Sequence, residues 1–206
     1  MLWHPFSDPV HDAQRHFRQL LAAMAEPGLP QQTGPATPRP QGAIGAAAWA
    51  TLLTLCDLDT PVWIDPRLEG DGLRESLSFH TGCALCDTPA CAAFLLLAAE
   101  SLEEAVLVER FSIGTDLEPE HSATLIVEVE SLNGAESGKG DWRLSGPGIA
   151  GQRAISVGGG VALARLLAAN RAHFPRGLDA ILCAGGGFTA IPRSTRIESA
   201  SLREVA

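Results

Sequence analysis

The sequence predicts an α/β protein, a single domain over residues 1–206 with a mixed β-sheet flanked by helices. Three observations support this class. A chain of 206 residues has the usual length of one domain. Apolar residues make up 46% and charged residues 19%, which suits a packed core better than a disordered chain. Helical and strand patterns mix along the chain, and one hairpin is among them, so both parallel and antiparallel pairing are expected.

Apolar residues at helical spacing predict the helices. Asp8 is a typical N-cap and Pro9 a typical first residue of a helix. The apolar face of this helix is predicted to carry Val10, Ala13, Phe17, Leu20, Leu21 and Met24. Pro27 and Gly28 end it. Further helices are predicted at residues 43–57, 70–80, 102–108 and 161–173.

Residues 28–42 are predicted to form a loop. This segment is rich in proline and glycine, which punctuate regular structure. We expect a disordered loop, with room for one short strand near residues 29–33.

Short apolar runs predict buried strands at residues 60–65, 92–97, 180–183 and 188–191. Residues 122–132 alternate between apolar and polar side chains and precede a second strand at 141–146. The polar stretch at 133–140 between them predicts a hairpin with a long loop.

The charge balance excludes some partners. Asp and Glu number 24 against 15 Lys and Arg, so the net charge is −9. A broad nucleic-acid or anionic-membrane surface needs clustered positive charge, so neither partner is expected. The apolar run at residues 90–99 is too short to span a bilayer, which takes about 20 residues. The first residues lack a secretory signal, and five cysteines suit reduced thiols, so we expect a cytoplasmic protein.

Three motifs have simple structural explanations. Cys83, Cys86 and Cys91 have spacing that can begin a zinc or iron–sulfur site, but no second cysteine pair completes it, so no metal is predicted. We expect these cysteines to be small buried residues, with Cys91 entering a strand. The loop around Lys139 lacks the glycine and hydroxyl positions of a P-loop. Acidic residues at 116–120 are expected to form a solvated loop.

A group of arginine-containing turns could bind an anion. Arginine beside a hydroxyl and backbone amides can hold phosphate or phosphonate oxygens in bidentate fashion. The candidate anion-binding residues are Arg143, Arg176, Arg193, Ser194 and Thr195. The alternative is that glycine and proline shape these turns and the arginines pair with surface acids. No catalytic residue can be named.

Several segments together resemble a known family. They occur in order across nearly the whole chain, and they are residues 12–14, 17–28, 52–55, 59–63, 79–81, 114–120, 123–126, 144–149, 174–179 and 191–195. In this order they resemble the PhnH family, the H subunits of the bacterial carbon–phosphorus lyase system for phosphonates. The cysteine trio, the Lys139 loop and the proline-rich stretch are not part of the resemblance.

The resemblance implies a subunit that assembles with the G, I and J subunits. With the G, I and L components, the family supports conversion of ATP and a phosphonate to α-D-ribose 1-phosphonate 5-triphosphate, with release of adenine. It also implies a fold like the large domain of type I pyridoxal-phosphate (PLP) transferases without the cofactor site, and a homodimer. The I subunit is the catalytic candidate in this family.

The residues agree with the absence of PLP chemistry. That cofactor is attached to a lysine in a desolvated pocket, and the only lysine, Lys139, stands in a polar loop. We therefore expect no cofactor and an accessory subunit. Two alternatives remain, a stand-alone enzyme or sensor that binds a small phosphorylated ligand, and a metal or redox protein using the cysteine trio.

Overall fold

A computed structural model of the chain describes residues 2–35, 37–103, 109–134 and 140–199. Its four α-helices are α1 (Pro9–Ala25), α2 (Ala46–Leu55), α3 (Leu73–Thr81) and α4 (Val161–Asn170). Its strands are β1 (Gln31–Gln32), β2 (Val62–Ile64), β3 (Phe94–Ala98), β4 (Thr124–Glu128), β5 (Ser131–Gly134), β6 (Trp142–Ser145), β7 (Arg153–Gly158), β8 (Asp179–Ala184), β9 (Gly187–Ile191) and β10 (Arg196–Ser199).

The strands form two sheets. The larger has six strands in the order β1-β9-β8-β4-β3-β2, and the smaller has four in the order β10-β6-β7-β5. In the larger sheet β2, β3, β4 and β8 are parallel, whereas β9 and β1 run antiparallel to their neighbours. The predicted α/β class with a mixed sheet is confirmed. The separate antiparallel sheet was not predicted.

Both faces of the six-stranded sheet are buried. Ile126 and Ile181 face a core shared with α1, α2 and α3. Leu125 and Leu182 face a second core, built with the smaller sheet and α4. The molecule is thus layered, with helices on one side of the mixed sheet and the small sheet with α4 on the other.

The predicted hairpin is wrong. Strand β4 lies between β3 and β8 and is parallel to both, so it does not pair with β6. Its three central residues, Leu125, Ile126 and Val127, are all buried because the sheet is covered on both faces. The chain then crosses to the small sheet, where β5 pairs with β7 and β6 lies between β7 and β10.

Helix α1 begins as predicted, but the side that it buries matches the predicted apolar face only in part. The Asp8 side chain caps it by accepting a hydrogen bond from the His11 amide, and proline follows. Asp12, His16, Leu20 and Ala23 are buried. The predicted apolar face is buried only in part: Leu20 is buried, whereas Val10, Phe17 and Leu21 are exposed.

The proline-rich segment carries the expected short strand. Strand β1 pairs with β9, and Gln31 lies opposite Phe188. The Thr33 amide donates to the Gly186 carbonyl at 2.9 Å. These bonds tie the start of the loop to β9 and to the turn between β8 and β9.

The structure can be compared with three further expectations, which concern a helix, the Lys139 loop and membrane spans. The helix predicted at 102–108 falls largely outside the described residues, and residues 99–103 form a 3₁₀ helix. Most of the Lys139 loop also lies outside them. Within the described residues, no helix has both the length and the apolar character needed to cross a bilayer.

Candidate functional site

The carboxyl ends of the parallel strands meet at one edge of the large sheet. Asp65 follows β2, Glu128 ends β4, and Gly185 with Gly186 follows β8. Ligands of open α/β sheets bind in the crevice beyond this edge. We therefore take this edge as the candidate functional site.

A cleft of about 460 Å³ opens there. Its walls come from the loop before α2, the first residues of α2 and the β8–β9 turn. The lining residues are Thr33, Gly34, Pro35, Thr37, Arg39, Pro40, Ile44, Gly45, Ala46, Gly185 and Gly186. Arg39 is exposed and makes no hydrogen bond or ion pair with the described residues. Its guanidinium is the positive charge among the lining residues.

Glycine at position 45 lets α2 start against the β8–β9 turn. A Cβ on Gly45 would come within 2.5 Å of the Gly185 carbonyl oxygen, so a larger residue does not fit without a backbone shift. The Ala47 amide donates to the same carbonyl at 2.9 Å. This close approach fixes the floor of the cleft.

Glu128 lies under this floor. Its Oε1 accepts a hydrogen bond from the Gly45 amide, so it holds the beginning of α2 against β4. Burial raises the pKa of the Glu128 carboxyl to about 7, although the Gly45 hydrogen bond opposes the shift. A carboxyl with such a pKa can gain and lose a proton near neutral pH, which is the property of a general acid or base.

A small polar space adjoins the cleft, with Gly34 and Thr37 lining both. Its volume is about 10 Å³, room for one water-sized group. His16 is buried there, with Nε2 3.1 Å from Thr51 Oγ1 and no partner for Nδ1 among the described residues. Burial lowers the pKa of His16 to about 4, so the ring is neutral at physiological pH.

Asp65, at the same sheet edge, is a structural residue. Its carboxylate accepts hydrogen bonds from the Ala98 amide at 3.1 Å, the Arg67 amide at 3.0 Å and the Ser101 hydroxyl. Three donors satisfy a buried carboxylate and join the ends of β2 and β3.

The predicted anion-binding arginines lie away from this cleft. Arg193 forms a bidentate pair with Asp179, with Nη2 2.6 Å from Oδ2, and its Nη1 donates to the Pro119 carbonyl at 2.7 Å. Arg176 Nε lies 3.0 Å from Asp116 Oδ1, an ion pair without an aligned hydrogen bond. Both arginines therefore contact the loop at residues 112–121.

The other three predicted anion-binding residues, Arg143, Ser194 and Thr195, lie in two different places. Arg143 is exposed on β6, opposite Glu198 of β10. Ser194 and Thr195 adjoin Gly146 in the turn after β6. Thr195 Oγ1 is buried and has no hydrogen-bond partner among the described residues. The structure thus brings Arg176 and Arg193 to one loop but leaves Arg143 apart, and anion binding by this set stays a prediction.

The cysteines are not arranged as a metal site. No group of three or more His, Cys, Asp or Glu residues suited to a metal occurs in the described part of the chain. Cys56, Cys83, Cys86 and Cys183 are buried, as expected for small apolar residues. Cys91 is different, because it is exposed in a 3₁₀ turn and β3 begins only at Phe94.

Sequence reasoning missed the residues around the cleft, above all Arg39, Gly45 and Glu128. Glu128 carried a usable signal, since it is the polar residue that ends an apolar strand. Assigning that strand to a hairpin removed the signal, because only a parallel strand places its carboxyl end in the crevice.

A family model and two known proteins are similar in sequence to this chain. A family model described as bacterial phosphonate metabolism protein (PhnH) matches residues 4–198. Alpha-D-ribose 1-methylphosphonate 5-triphosphate synthase subunit PhnH of Rhizobium meliloti (strain 1021) is 38% identical over 197 residues, 94% of each chain. Putative C-P lyase subunit protein HtxG of Stutzerimonas stutzeri is 31% identical over 188 residues, 89% of this chain and 85% of that protein.

Proposed function

Since this chain belongs to the PhnH family of bacterial phosphonate metabolism proteins, we propose that it is a supporting subunit of an α-D-ribose 1-methylphosphonate 5-triphosphate synthase. The observation that carries the proposal is the 38% identity to a subunit of that synthase across 94% of both chains. At this coverage the whole fold is shared, so the role as a subunit is transferred to the whole chain.

A supporting role agrees with the contacts of two charged side chains, one at the sheet edge and one away from the cleft. Asp65 is saturated by three hydrogen-bond donors, and Arg193 is neutralised by Asp179. The charges of Asp65 and Arg193 therefore stabilise the fold. Displacement of adenine from a ribose passes through an oxocarbenium-like state, which requires a positioned nucleophile and compensation of charge. We assign that chemistry to a partner and give this chain the task of positioning.

We propose that the chain assembles with the G, I and J subunits in the cytoplasm and forms a homodimer. These partners follow from the family resemblance described above. The product would be α-D-ribose 1-phosphonate 5-triphosphate, formed from ATP and a phosphonate with release of adenine, in phosphonate catabolism.

The cleft supports a specific form of this role. Arg39 is an exposed cation at the carboxyl edge of the sheet, and the triphosphate and phosphonate are both anions. An arginine that makes no ion pair with the described residues can offer its guanidinium to phosphate oxygens in bidentate fashion. We propose that Arg39 contacts the triphosphate or the phosphonate within the assembled complex.

Reconstitution of the complex tests the supporting role. Adenine release from ATP and methylphosphonate is measured for the G, I and L components with and without this chain. We expect full activity only when the chain is present. Equal rates without it would contradict the proposed support of the reaction.

The Arg39→Ala variant tests the cleft. Loss of one charge-assisted hydrogen bond should lower the kcat/KM of the complex by about tenfold or more, with assembly unchanged on size-exclusion chromatography. Arg39→Lys should retain part of the activity, and Arg196→Ala, on the distant β10, should retain all of it. Unchanged kinetics in Arg39→Ala would remove Arg39 from the substrate site.

The second candidate function is a stand-alone enzyme or sensor for a small phosphorylated ligand. It would bind through Arg143, Arg176 or Arg193. The ion pairs of Arg176 and Arg193 compete with such a ligand, since an anion has to displace a carboxylate. Calorimetry of the isolated chain with ATP and with methylphosphonate separates the two functions, because heat of binding in the absence of partners favours the stand-alone one.

We infer further that the fold corresponds to the large domain of type I PLP transferases without a cofactor site. Support comes from the parallel core of the mixed sheet and its antiparallel neighbour β9. The only lysine, Lys139, stands in a polar stretch of the sequence at residues 133–140. Added PLP should therefore form no reducible adduct that depends on the native fold.

A further inference from the structure

One ring nitrogen of the buried His16 lacks a partner. His16 lies on the inner side of α1 and is 3% exposed. Its Nε2 lies 3.1 Å from the Thr51 hydroxyl oxygen of α2, whereas Nδ1 has no hydrogen-bond partner among the described residues. A buried polar atom without a hydrogen bond destabilises a folded chain, so buried polar atoms are nearly always bonded to protein or to ordered water.

The contacts of Thr51 indicate which ring nitrogen carries the proton. The Thr51 hydroxyl donates to the Ala47 carbonyl at 2.8 Å. A hydroxyl has one proton, so Thr51 accepts at His16 and Nε2 is the N–H of the ring. Burial lowers the pKa of His16 to about 4, so the ring is neutral at physiological pH. Nδ1 then has only a lone pair to offer, and its partner has to be a hydrogen-bond donor.

Gln19 lines the same space as His16 but does not supply this donor. Its Nε2 donates to the Gln32 carbonyl at 2.9 Å. Its hydrogen-bonding interaction with His16 raises the pKa of the ring, against the larger effect of burial. A group that raises the pKa of a histidine favours the protonated ring and therefore acts as an acceptor. Gln19 thus adds a second acceptor beside Nδ1.

The space that His16 lines has the size of one water molecule. Its volume is about 10 Å³, which is close to the least that holds a water. Asp12 and Thr37 also line it. The Asp12 carboxylate oxygens accept from the Asp8 amide at 3.1 Å and from Arg15 at 2.7 Å, and each can accept a further bond. The walls therefore offer a water the two to four polar partners that it needs.

We propose that this space is a binding site for one internal water molecule, which donates a hydrogen bond to His16 Nδ1. Its second hydrogen is left for Asp12 or Gln19, and its oxygen can accept from the Thr37 hydroxyl. Because Thr37 also lines the cleft, the water joins α1 to the wall that carries Arg39. Such a water is bound by the isolated chain whether or not the chain works in a synthase.

A crystal structure of the full chain at neutral pH tests the site directly. We expect a water oxygen within about 2.7–3.2 Å of His16 Nδ1. A space without a water would overturn the proposal, and so would a direct hydrogen bond from the Gln19 amide to Nδ1.

Nitrogen NMR of the histidine rings tests the position of the proton in solution. We expect His16 to be neutral at pH 7 with its proton on Nε2. A proton on Nδ1 would contradict the proposal, because Nδ1 would then need an acceptor and Gln19 could provide it.

The His16→Gln variant tests whether Nδ1 holds the water. The amide nitrogen of the new side chain can still reach Thr51, but no acceptor replaces Nδ1. We expect magnetic relaxation dispersion of the water oxygen to count one fewer long-lived internal water than in the unmodified chain. His11→Gln is the matched control, since His11 is exposed on the same helix, and it should keep the full number. The same number in His16→Gln as in the unmodified chain would overturn the role of Nδ1.

Discussion

Glu128 is the residue at which a single proton has the largest effect on the candidate site. Burial raises the pKa of its carboxyl from 4.5 to about 7 in the folded chain. Between these two values the folded state holds a proton that the unfolded state releases. The favourable contribution is therefore complete below pH 4.5 and is lost as the pH rises through about 7.

The Glu128→Gln variant should remove this loss, because the amide is neutral at every pH. We expect the variant to be more stable than the unmodified chain at about pH 8, by up to about 3 kcal/mol, with a much smaller difference at about pH 5. Urea denaturation at both values measures it. His16 titrates in both proteins and cancels from the comparison. An equal difference at the two pH values would contradict the assignment.

Gly45 provides a steric prediction at the same site. A Cβ on residue 45 would lie 2.5 Å from the Gly185 oxygen and 2.8 Å from the Gly185 Cα. Gly45→Ala therefore forces the start of α2 away from the β8–β9 turn. We expect a loss of about 1–3 kcal/mol in the free energy of unfolding.

Gly34→Ala is the matched control for Gly45→Ala. Gly34 lines the same cleft, but a Cβ there meets nothing within 4 Å. The variant should unfold within about 0.5 kcal/mol of the unmodified chain. Equal losses in both variants would show that the close approach of α2 to the β8–β9 turn is not what requires glycine.

At the scale of elements, α1 shows where sequence patterns succeed and fail. The cap at Asp8 and the stop at Pro27 are local chemistry, and both ends were predicted. The buried face was predicted only in part, because His16 and Asp12 are polar yet turn inward, where Thr51 contacts one ring nitrogen of His16 and the Asp8 and Arg15 donors bind the Asp12 carboxylate. Periodicity counts apolar residues and does not detect satisfied polar ones.

Paired substitutions on α1 distinguish its two faces. Leu20 is 4% exposed, and Leu20→Ala should cost about 2–4 kcal/mol through the cavity it leaves. Phe17 is 44% exposed, and Phe17→Ser should change stability by no more than about 0.5 kcal/mol. Thermal unfolding of both variants measures the contrast. A large loss in Phe17→Ser and none in Leu20→Ala would contradict the orientation of α1 described above.

The strands show the same division between local and long-range information. Apolar runs revealed β2, β3, β8 and β9, since a strand buried on both faces is apolar throughout. The partner of β4 could not be deduced, because pairing depends on contacts far along the chain. The candidate cleft depends on that pairing, so Glu128 and Gly45 could not be predicted as site residues. The family resemblance does not depend on strand pairing and could be recognised.

At the scale of the whole molecule, the two proposed functions differ in what stabilises the isolated chain. Anything that binds only the folded state raises the melting temperature, by an amount that grows with the logarithm of its concentration relative to its Kd. A subunit that works inside a complex should respond to partners, whereas a stand-alone binder should respond to its ligand. We therefore expect the melting temperature to rise with the G and I subunits and to stay unchanged with ATP or methylphosphonate alone.

The Arg193→Ala variant completes this comparison. Asp179 would lose the guanidinium that neutralises it, and the loop at 112–121 would lose its contact through Pro119. If Arg193 is a structural clamp, the variant melts several degrees lower with or without phosphate, since about 1–3 kcal/mol of charge-assisted bonding is gone. If it is an anion site, phosphate stabilises the unmodified chain and not the variant. The half-buried bidentate geometry favours the clamp, because a carboxylate already fills the position that a phosphate would occupy.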